Sequence, residues 1–239
     1  MVPKSNLSSM EMLKIQVSTL YTINEQQRLL SINEPGGGQA PAIFIGMTSA
    51  GSLIYYHEQL PPDLMDELGK GCELPLDIPK LIRKVETFEP VNRVWMGPAY
   101  AFPEISHEWN QKVQLIGQEQ HYLLAEHFPE LTDYLYEKSP IAAYVIGDSA
   151  VAVCCSARFS DHGAEASLYT APGYRGHGYA AETVKCWQYY VKERGRMPIY
   201  STSWDNLASQ QVARKLGLIQ FGVDFSITTV DLRKDCDVL

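Results

Sequence analysis

The sequence predicts an α/β chain of the α+β type, built on a mixed and mostly antiparallel sheet. From residue 141 to residue 170, short apolar runs alternate with turn signals, as they do in an antiparallel meander. A helical pattern then leads to one more strand-like run at 199–203, which makes that helix a crossover between parallel strands. The chain has 239 residues, 45% of them hydrophobic and 20% charged, a composition typical of a packed globular protein.

The first 41 residues predict a helix and a connector. The pattern favours a helix over 11–32, although strand competes for its middle, where apolar residues alternate from 17 to 23. The segment 34–41 contains three consecutive glycines. It has prolines near both ends and no helical pattern after it, so we interpret it as a connector rather than a phosphate-binding loop.

The pattern of residues 42–138 predicts a hairpin followed by four helices and one further strand. The predicted elements are strands at 42–47, 53–57 and 94–96, and helices at 61–68, 78–87, 109–128 and 131–138. The aromatic segment 97–103 is predicted to be a loop that either lines a pocket or covers an edge of the core.

Charge and cysteine usage exclude several classes of protein. The net charge of −8 argues against a nucleic-acid partner, because binding to a phosphate backbone depends on clustered Lys and Arg. The start of the chain lacks an apolar signal core, and no apolar run approaches membrane-spanning length, so we predict a cytoplasmic protein that does not enter a membrane. The five cysteines form no Cys-x-x-Cys pair and the histidines no paired spacing, which predicts reduced thiols and no metal site.

A glycine-rich turn lies between the third strand of the meander and the crossover helix. Gly173, Gly176 and Gly178 flank Arg175 there. Glycines let backbone N–H groups approach an anion closely, and the start of the following helix adds unpaired N–H groups and a positive dipole end. The layout suits a diphosphate, although no Gly-Lys-Ser/Thr follows as in a Walker A loop. On spacing alone, a turn that only reverses the chain remains an alternative.

Two motifs carry a resemblance to a known family. The segment 175–180, Arg-Gly-His-Gly-Tyr-Ala, resembles the Arg/Gln-x-x-Gly-x-Gly/Ala loop of the GCN5-related N-acetyltransferases (GNAT). Downstream, Asn206, Ser209, Ala213 and Gly217 resemble that family's Asn-x-x-Ser-x-x-x-Ala-x-x-x-Gly segment. The resemblance covers about 141–230. The element Gly-Pro-Ala-Tyr-x-Phe-Pro within 97–103 is also similar to a bacterial subgroup of the family that has an extra N-terminal region.

The resemblance implies a fold, a cofactor and a set of contacts. It implies the GNAT fold, in which two neighbouring parallel strands splay apart and helices flank the sheet. It also implies an acetyltransferase domain over 106–239, on which an N-terminal α/β region, 1–105, packs. The co-substrate implied is acetyl-CoA, with no metal. The residues expected to contact it are Leu168, Tyr169, Thr170, Arg175, Gly176, His177, Gly178, Tyr179, Ala180, Asn206 and Ser209.

The sequence indicates the catalytic groups less clearly than it indicates the cofactor-binding loop. An amine must lose its proton before it attacks a thioester, so a base is useful. Glu165 lies early on the third strand of the meander, on the same face as Tyr169, and is the candidate base. The alternative for Glu165 is a solvated carboxylate at the strand edge. Tyr169, and as a rival Tyr179, is a candidate to protonate the leaving thiolate. Cys154 and Cys155 raise an acyl-cysteine route, but their strand position favours packing.

Three functions follow from these patterns. The first is an acetyl-CoA-dependent N-acetyltransferase in which the amine of a small molecule or a peptide attacks directly in a ternary complex. The second is a catalytically weak acyl-CoA-binding sensor, and the third is a non-enzymatic interaction protein that keeps the fold. The sequence leaves the acceptor open, and also whether the chain forms a homodimer.

Overall fold

The computed structural model of the protein describes residues 7–72, 74–103 and 108–230. The predicted boundary between residues 105 and 106 lies outside these ranges, as does Cys236. The helices are α1 (Ser9–Leu20), α2 (Pro62–Gly69), α3 (Ile78–Val85), α4 (Tyr179–Glu193) and α5 (Leu207–Lys215). The strands are β1 (Tyr21–Ile23), β2 (Leu29–Ile32), β3 (Ile43–Thr48), β4 (Gly51–Tyr56), β5 (Val91–Ala101), β6 (Val113–Leu115), β7 (Ala142–Ile146), β8 (Ser149–Phe159), β9 (Gly163–Thr170), β10 (Met197–Ser201) and β11 (Ile219–Thr229).

A nine-stranded sheet in the order β4-β3-β11-β5-β10-β9-β8-β7-β6 forms the centre of the fold. Its neighbouring strands are antiparallel except β9 and β10, which are parallel and joined by α4 as a crossover helix. Strands β1 and β2 form a separate two-stranded sheet. The predicted fold class, a mixed and mostly antiparallel sheet flanked by helices, is therefore confirmed.

Helices cover both faces of the sheet. Helix α4 buries Trp187 and Val191 in a cluster that includes Tyr200 of β10. The neighbouring residue Ile199 faces the other way, toward Gly163 and the side chains of α1. Helix α1 buries Leu13 and Val17 in a separate cluster over β3, β5 and β11. The sheet therefore has a core on each side, as alternating side-chain directions require.

Three predicted helices are wrong in type or length. The helix predicted over 11–32 ends at Leu20, where the chain turns into β1 and β2. The segment 109–128 contains β6 and a 3-10 turn at His121–Leu124, because pairing of β6 with β7 and burial of Leu123 and Leu124 override its helical pattern. Only a 3-10 helix, Pro129–Tyr134, forms within the helix predicted over 131–138.

The segment 97–103 is mostly strand, not loop. It continues β5, which lies between β11 and β10. A Cβ added at Gly97 would overlap the carbonyl oxygen of Thr202, so only glycine permits this close approach. Tyr100 and Phe102 pack against Tyr200 and Trp187, with ring centroids 6.5 and 6.0 Å apart, respectively. The aromatic residues thus cover the core.

The first hundred residues contribute strands to the same sheet as the rest of the chain. Strand β5 pairs with both β10 and β11, and β3 pairs with β11. The division into an N-terminal region and a C-terminal domain stays a prediction, and the two parts share one sheet.

Candidate active site

The parallel strands β9 and β10 separate at Glu165. Their pairing covers three positions and ends with Glu165 beside Ile199. Beyond that point β9 continues to Thr170 paired with β8, whereas β10 continues paired with β5. Backbone groups on the open side of β9 therefore lack a neighbouring strand, and unpaired backbone groups favour a ligand that supplies amides.

A cavity of about 1240 Å³ passes through this gap in the sheet. On one side it reaches the glycine-rich turn and α5, and on the other it reaches residues under α1. Every residue predicted to contact the co-substrate lines it, and so do Glu165 and Tyr169. The fold thus brings the predicted site residues to one continuous space, while the role of each stays a prediction.

The glycine-rich turn presents the uncapped start of α4 to the cavity. Gly176 and Gly178 have φ of 81° and 82°, values that favour glycine. Gly178 is the N-cap residue of α4, and no side chain caps the helix there. The first N–H groups of α4 thus have no capping side chain, an arrangement that suits an anion. Arg175 Nε donates to the carbonyl oxygen of Thr170 at 3.2 Å, which ties the turn to the end of β9.

Helix α5 adds a cation that the sequence analysis missed. Lys215 Nζ lies 2.5 Å from the position of a Cβ built on Gly178, so its ammonium group stands beside the turn. Lys215 lines the cavity together with Ala208, Gln211 and Val212. These four positions follow the i, i+3, i+4, i+7 spacing of one helix face. The same spacing in the sequence could have indicated that Lys215 lies on the face of α5 that meets the cavity. The turn, the start of α4 and Lys215 together fit a diphosphate.

Asn206 and Ser209 have structural partners as well as a place on the cavity wall. Asn206 Oδ1 accepts the backbone N–H of Ser209 at 3.0 Å and so caps α5. The Ser209 hydroxyl lies 2.7 Å from the hydroxyl of Tyr200, and burial raises the pKa of Tyr200 to about 12. Asn206 and Ser209 therefore also stabilise the part of the cavity wall that α5 forms.

Glu165 is a buried carboxylate, not a solvated one at the strand edge. Its side chain accepts a hydrogen bond from the hydroxyl of Ser201 and lies 3.7 Å from Arg158 Nη1. Burial raises the pKa of Glu165, and the charge of Arg158 and the hydrogen bond from Ser201 oppose the shift. A buried carboxyl with a raised pKa at the separation of two strands has the properties of a general base.

The two tyrosines and the cysteines differ in access to the cavity. Tyr169 is half exposed and lines it. Tyr179 also lines it, but its ring is stacked on Tyr144 and His177, with centroids 4.2 and 5.4 Å apart. Cys154 and Cys155 are fully buried outside the cavity lining, and burial raises the pKa of both thiols. The acyl-cysteine route therefore has no support, and packing explains both residues.

The other end of the cavity is built by segments that the sequence analysis did not assign to the site. Tyr21 of β1, Phe44 of β3, Trp95 of β5 and Asp224 of β11 line it. These residues are distant in the sequence: pairing of β11 with β3 and β5 brings Phe44, Trp95 and Asp224 together, and Tyr21 packs on Phe44 with ring centroids 5.4 Å apart. Within the described ranges, no group of three or more His, Cys, Asp or Glu side chains is arranged to hold a metal ion. None of the helices described there combines the length and apolar character needed to cross a membrane.

Comparison with known proteins identifies the family. The acetyltransferase (GNAT) domain family matches residues 90–219, which is more than half of the chain. The chain therefore belongs to the GNAT family and carries an acetyltransferase domain.

Solved structures that match this chain have low sequence identity to it. A GCN5-related N-acetyltransferase-like protein from Streptococcus suis 89/1591 is 16% identical, with a TM-score of 0.51 over 80% of this chain and 85% of that one. An acetyltransferase of the GNAT family from Colwellia psychrerythraea is 13% identical, with a TM-score of 0.48 over 94% and 98% of the two chains. No curated protein matches the chain significantly.

Proposed function

We propose that the protein is an N-acetyltransferase that transfers the acetyl group of acetyl-CoA to the amine of a small molecule or a peptide. One observation carries the proposal: the cavity that begins at the glycine-rich turn passes between β9 and β10 and ends among buried carboxyl groups. A single passage of this kind allows a co-substrate and an acceptor to enter from opposite sides of the sheet and meet at Glu165.

The turn would hold the diphosphate of acetyl-CoA. The N–H groups at the start of α4, Arg175 and Lys215 supply positive charge there, and the open side of β9 offers backbone groups to the amides of the pantetheine arm. These contacts would place the acetyl thioester near the point where β9 and β10 separate.

Glu165 would accept a proton from the acceptor amine, directly or through one water. The nitrogen then forms a bond to the acetyl carbon, the carbon–sulfur bond breaks, and the sulfur leaves as a thiolate. Tyr169, which is accessible from the cavity, would return a proton to the sulfur. We further propose that residues before 105 form part of the acceptor wall, because Tyr21, Phe44 and Trp95 line that end.

We also propose that the reaction takes place in the cytoplasm. The four cysteines of the described part of the chain, Cys72, Cys154, Cys155 and Cys186, are all free and buried, as expected of reduced thiols.

The test uses the full chain with acetyl-CoA and a panel of primary amines. Calorimetry measures binding of acetyl-CoA, and mass spectrometry measures acetylated amine together with released thiol. We expect binding and stoichiometric transfer to at least one class of amine. Tight binding without transfer to any amine would favour an acyl-CoA sensor. No binding would favour an interaction protein that keeps the fold.

A further inference from the structure

Asp224 is a buried carboxyl group with one unpartnered oxygen at the acceptor end of the cavity. Its side chain is 1% exposed and lines the cavity. Oδ2 accepts a hydrogen bond from Gln16 Nε2 of α1 at 2.6 Å. Oδ1 has no hydrogen-bond partner within the described residues. A buried oxygen of this kind is unfavourable unless a ligand satisfies it.

Glycines flank Asp224 on both neighbouring strands. Its register partners are Gly46 on β3 and Gly97 on β5. Residues opposite each other in paired strands share a face, so no neighbouring side chain at this level of the sheet covers the carboxyl group. Leu13 packs over Gly46 and the Thr202 backbone over Gly97, while Gln16 reaches the carboxyl group from α1 and the cavity borders it.

No described cation forms an ion pair with Asp224. Arg158 is engaged by two other carboxylates: its Nε donates to Glu34 at 2.7 Å, and its Nη1 lies 3.7 Å from Glu165. Arg93 lines the same cavity, but it pairs with Thr228, four residues along β11 from Asp224, which is roughly 13 Å at the rise of a strand. Within the described residues, Asp224 therefore has no cationic partner of its own.

Because no described cation is paired with Asp224, nothing offsets the effect of burial on its pKa except the hydrogen bond from Gln16. Burial first, and then the negative charge of Glu165, raise the pKa of Asp224 to about 8. The groups that face it are Gln16 from α1, Glu165 from β9 and, more distantly, the Tyr21 phenol from β1. None of them carries a positive charge. A cation in the cavity would therefore favour the ionised carboxylate.

We propose that Asp224 is an anionic subsite that binds a second cationic nitrogen of the acceptor, so that the acceptor is a small aliphatic compound with two amino groups. This inference rests on the proposed acetyltransferase function. Glu165, already hydrogen-bonded by Ser201, receives the nitrogen that is acetylated, and Asp224 Oδ1 holds the other as an ammonium ion. Leu20, Ile32 and Phe44 also line the cavity and give it apolar surface suited to a methylene spacer.

The experiment compares 1,5-diaminopentane with 5-amino-1-pentanol, which has the same length but a hydroxyl in place of one ammonium group. Asp224→Asn keeps the shape and can still accept the hydrogen bond from Gln16. Asp161→Asn, an exposed aspartate in the β8–β9 turn, is the matched control. For the wild type we expect kcat/KM for the diamine to exceed that for the amino alcohol at least tenfold. In Asp224→Asn the ratio should fall to within about twofold of one.

A second readout does not require turnover. Calorimetry with 1,5-diaminopentane should show at least tenfold weaker binding to Asp224→Asn than to the wild type and to Asp161→Asn. In the wild type the affinity should increase from pH 6 to pH 9, because Asp224 ionises in that range while both amino groups, with pKa values near 10, stay charged. This pH series uses only the wild-type chain and therefore stands even if the variant does not fold.

The two proposals fail in different ways. Equal binding of the diamine to the wild type and to Asp224→Asn, or an affinity that does not change with pH, overturns the subsite even if amines are acetylated. Diamine binding that depends on Asp224, without acetylation of any amine, contradicts the enzymatic function and leaves the subsite in place.

Discussion

The two ends of the cavity are built in opposite ways. The proposed diphosphate end is built mainly by one contiguous segment, the turn around Arg175 and the start of α4, to which α5 adds Lys215. It is exposed and offers positive charge and N–H donors. The acceptor end collects Tyr21, Trp95, Glu165 and Asp224 from four strands, and its carboxyl groups are buried.

Under the proposed function, this difference would separate cofactor binding from acceptor specificity within one site. A diphosphate needs backbone donors and cations, which a short contiguous segment supplies. A selective acceptor site needs desolvated polar groups at fixed positions, which only packed strands supply.

The largest effect is expected at Gly97 of β5, where the backbone of Thr202 and Ser203 packs against the strand. Gly97→Ala would place a Cβ against the carbonyl oxygen of Thr202 and 2.7 Å from Cα of Ser203, which is backbone that cannot rotate away. We expect a loss of about 3 kcal/mol in the free energy of unfolding, or roughly 6–12 °C in Tm. Thermal unfolding measures it. Gly173→Ala, where an added Cβ meets nothing within 4 Å, is the control and should change Tm by less than about 2 °C. Equal Tm values for the two variants would show that β5 is not fixed against β10.

Glu165→Gln keeps the shape and the hydrogen bond from Ser201 but removes the proton acceptor. We expect kcat to fall by roughly 100-fold, with acetyl-CoA affinity unchanged. The loss should shrink as pH rises, because more of the acceptor arrives neutral. Steady-state kinetics from pH 6 to 9 measures both effects.

Two comparisons make the Glu165 test specific. Glu193→Gln, at the exposed end of α4, removes a carboxylate far from the cavity lining and should leave kcat unchanged. Tyr169→Phe should lower turnover without rescue at high pH. Near-normal turnover of Glu165→Gln across the range would mean that the carboxylate is structural.

Asp224→Asn should stabilise the unliganded protein in mild alkali. The folded pKa of Asp224, about 8, is above its unfolded value of about 4, so the folded state binds more protons between these pH values. The wild type therefore loses stability as pH rises from about 4 to 8, and Asn removes this loss. We expect the variant to gain about 1–2 kcal/mol at pH 8 relative to its difference at pH 6.5. Denaturant titration at both pH values measures it, and a difference between variant and wild type that is independent of pH would contradict the burial of an uncompensated carboxyl group.

Lys215→Met should give the smallest effect, because the diphosphate end is exposed and has several donors. We expect acetyl-CoA to bind about fivefold more weakly, roughly 1 kcal/mol. The difference should decrease at high salt. Calorimetry at two salt concentrations measures it, with Lys80→Met on the exposed face of α3 as the control. A substitution at Gly178 would be a less specific test, since the φ of 82° strains any side chain there whatever the turn binds.

Local sequence patterns predicted the strands and helices correctly where neighbouring residues determine the structure. The meander, α4, β10 and α5 form close to their predicted bounds, because strand alternation, helical periodicity and glycine stops act within a few residues. Prediction was wrong for 109–128, since pairing of Val113 with Tyr144 on β7 is a contact between distant residues. It was also wrong for 97–103, since the strand there depends on the close approach of Gly97 to Thr202.

The sequence by itself determined the order of the strands and helices from β7 onward, the glycine-rich turn and the family membership that its motifs indicated. These features are local, because glycine conformations and a helix start need only adjacent residues. The tertiary structure alone decided that β5 lies between β10 and β11, that Glu165 is buried beside Arg158, and that Asp224 shares a cavity with it. Burial and charge coupling depend on which distant strands pair, and the free energy of that pairing belongs to the whole sheet rather than to any one segment.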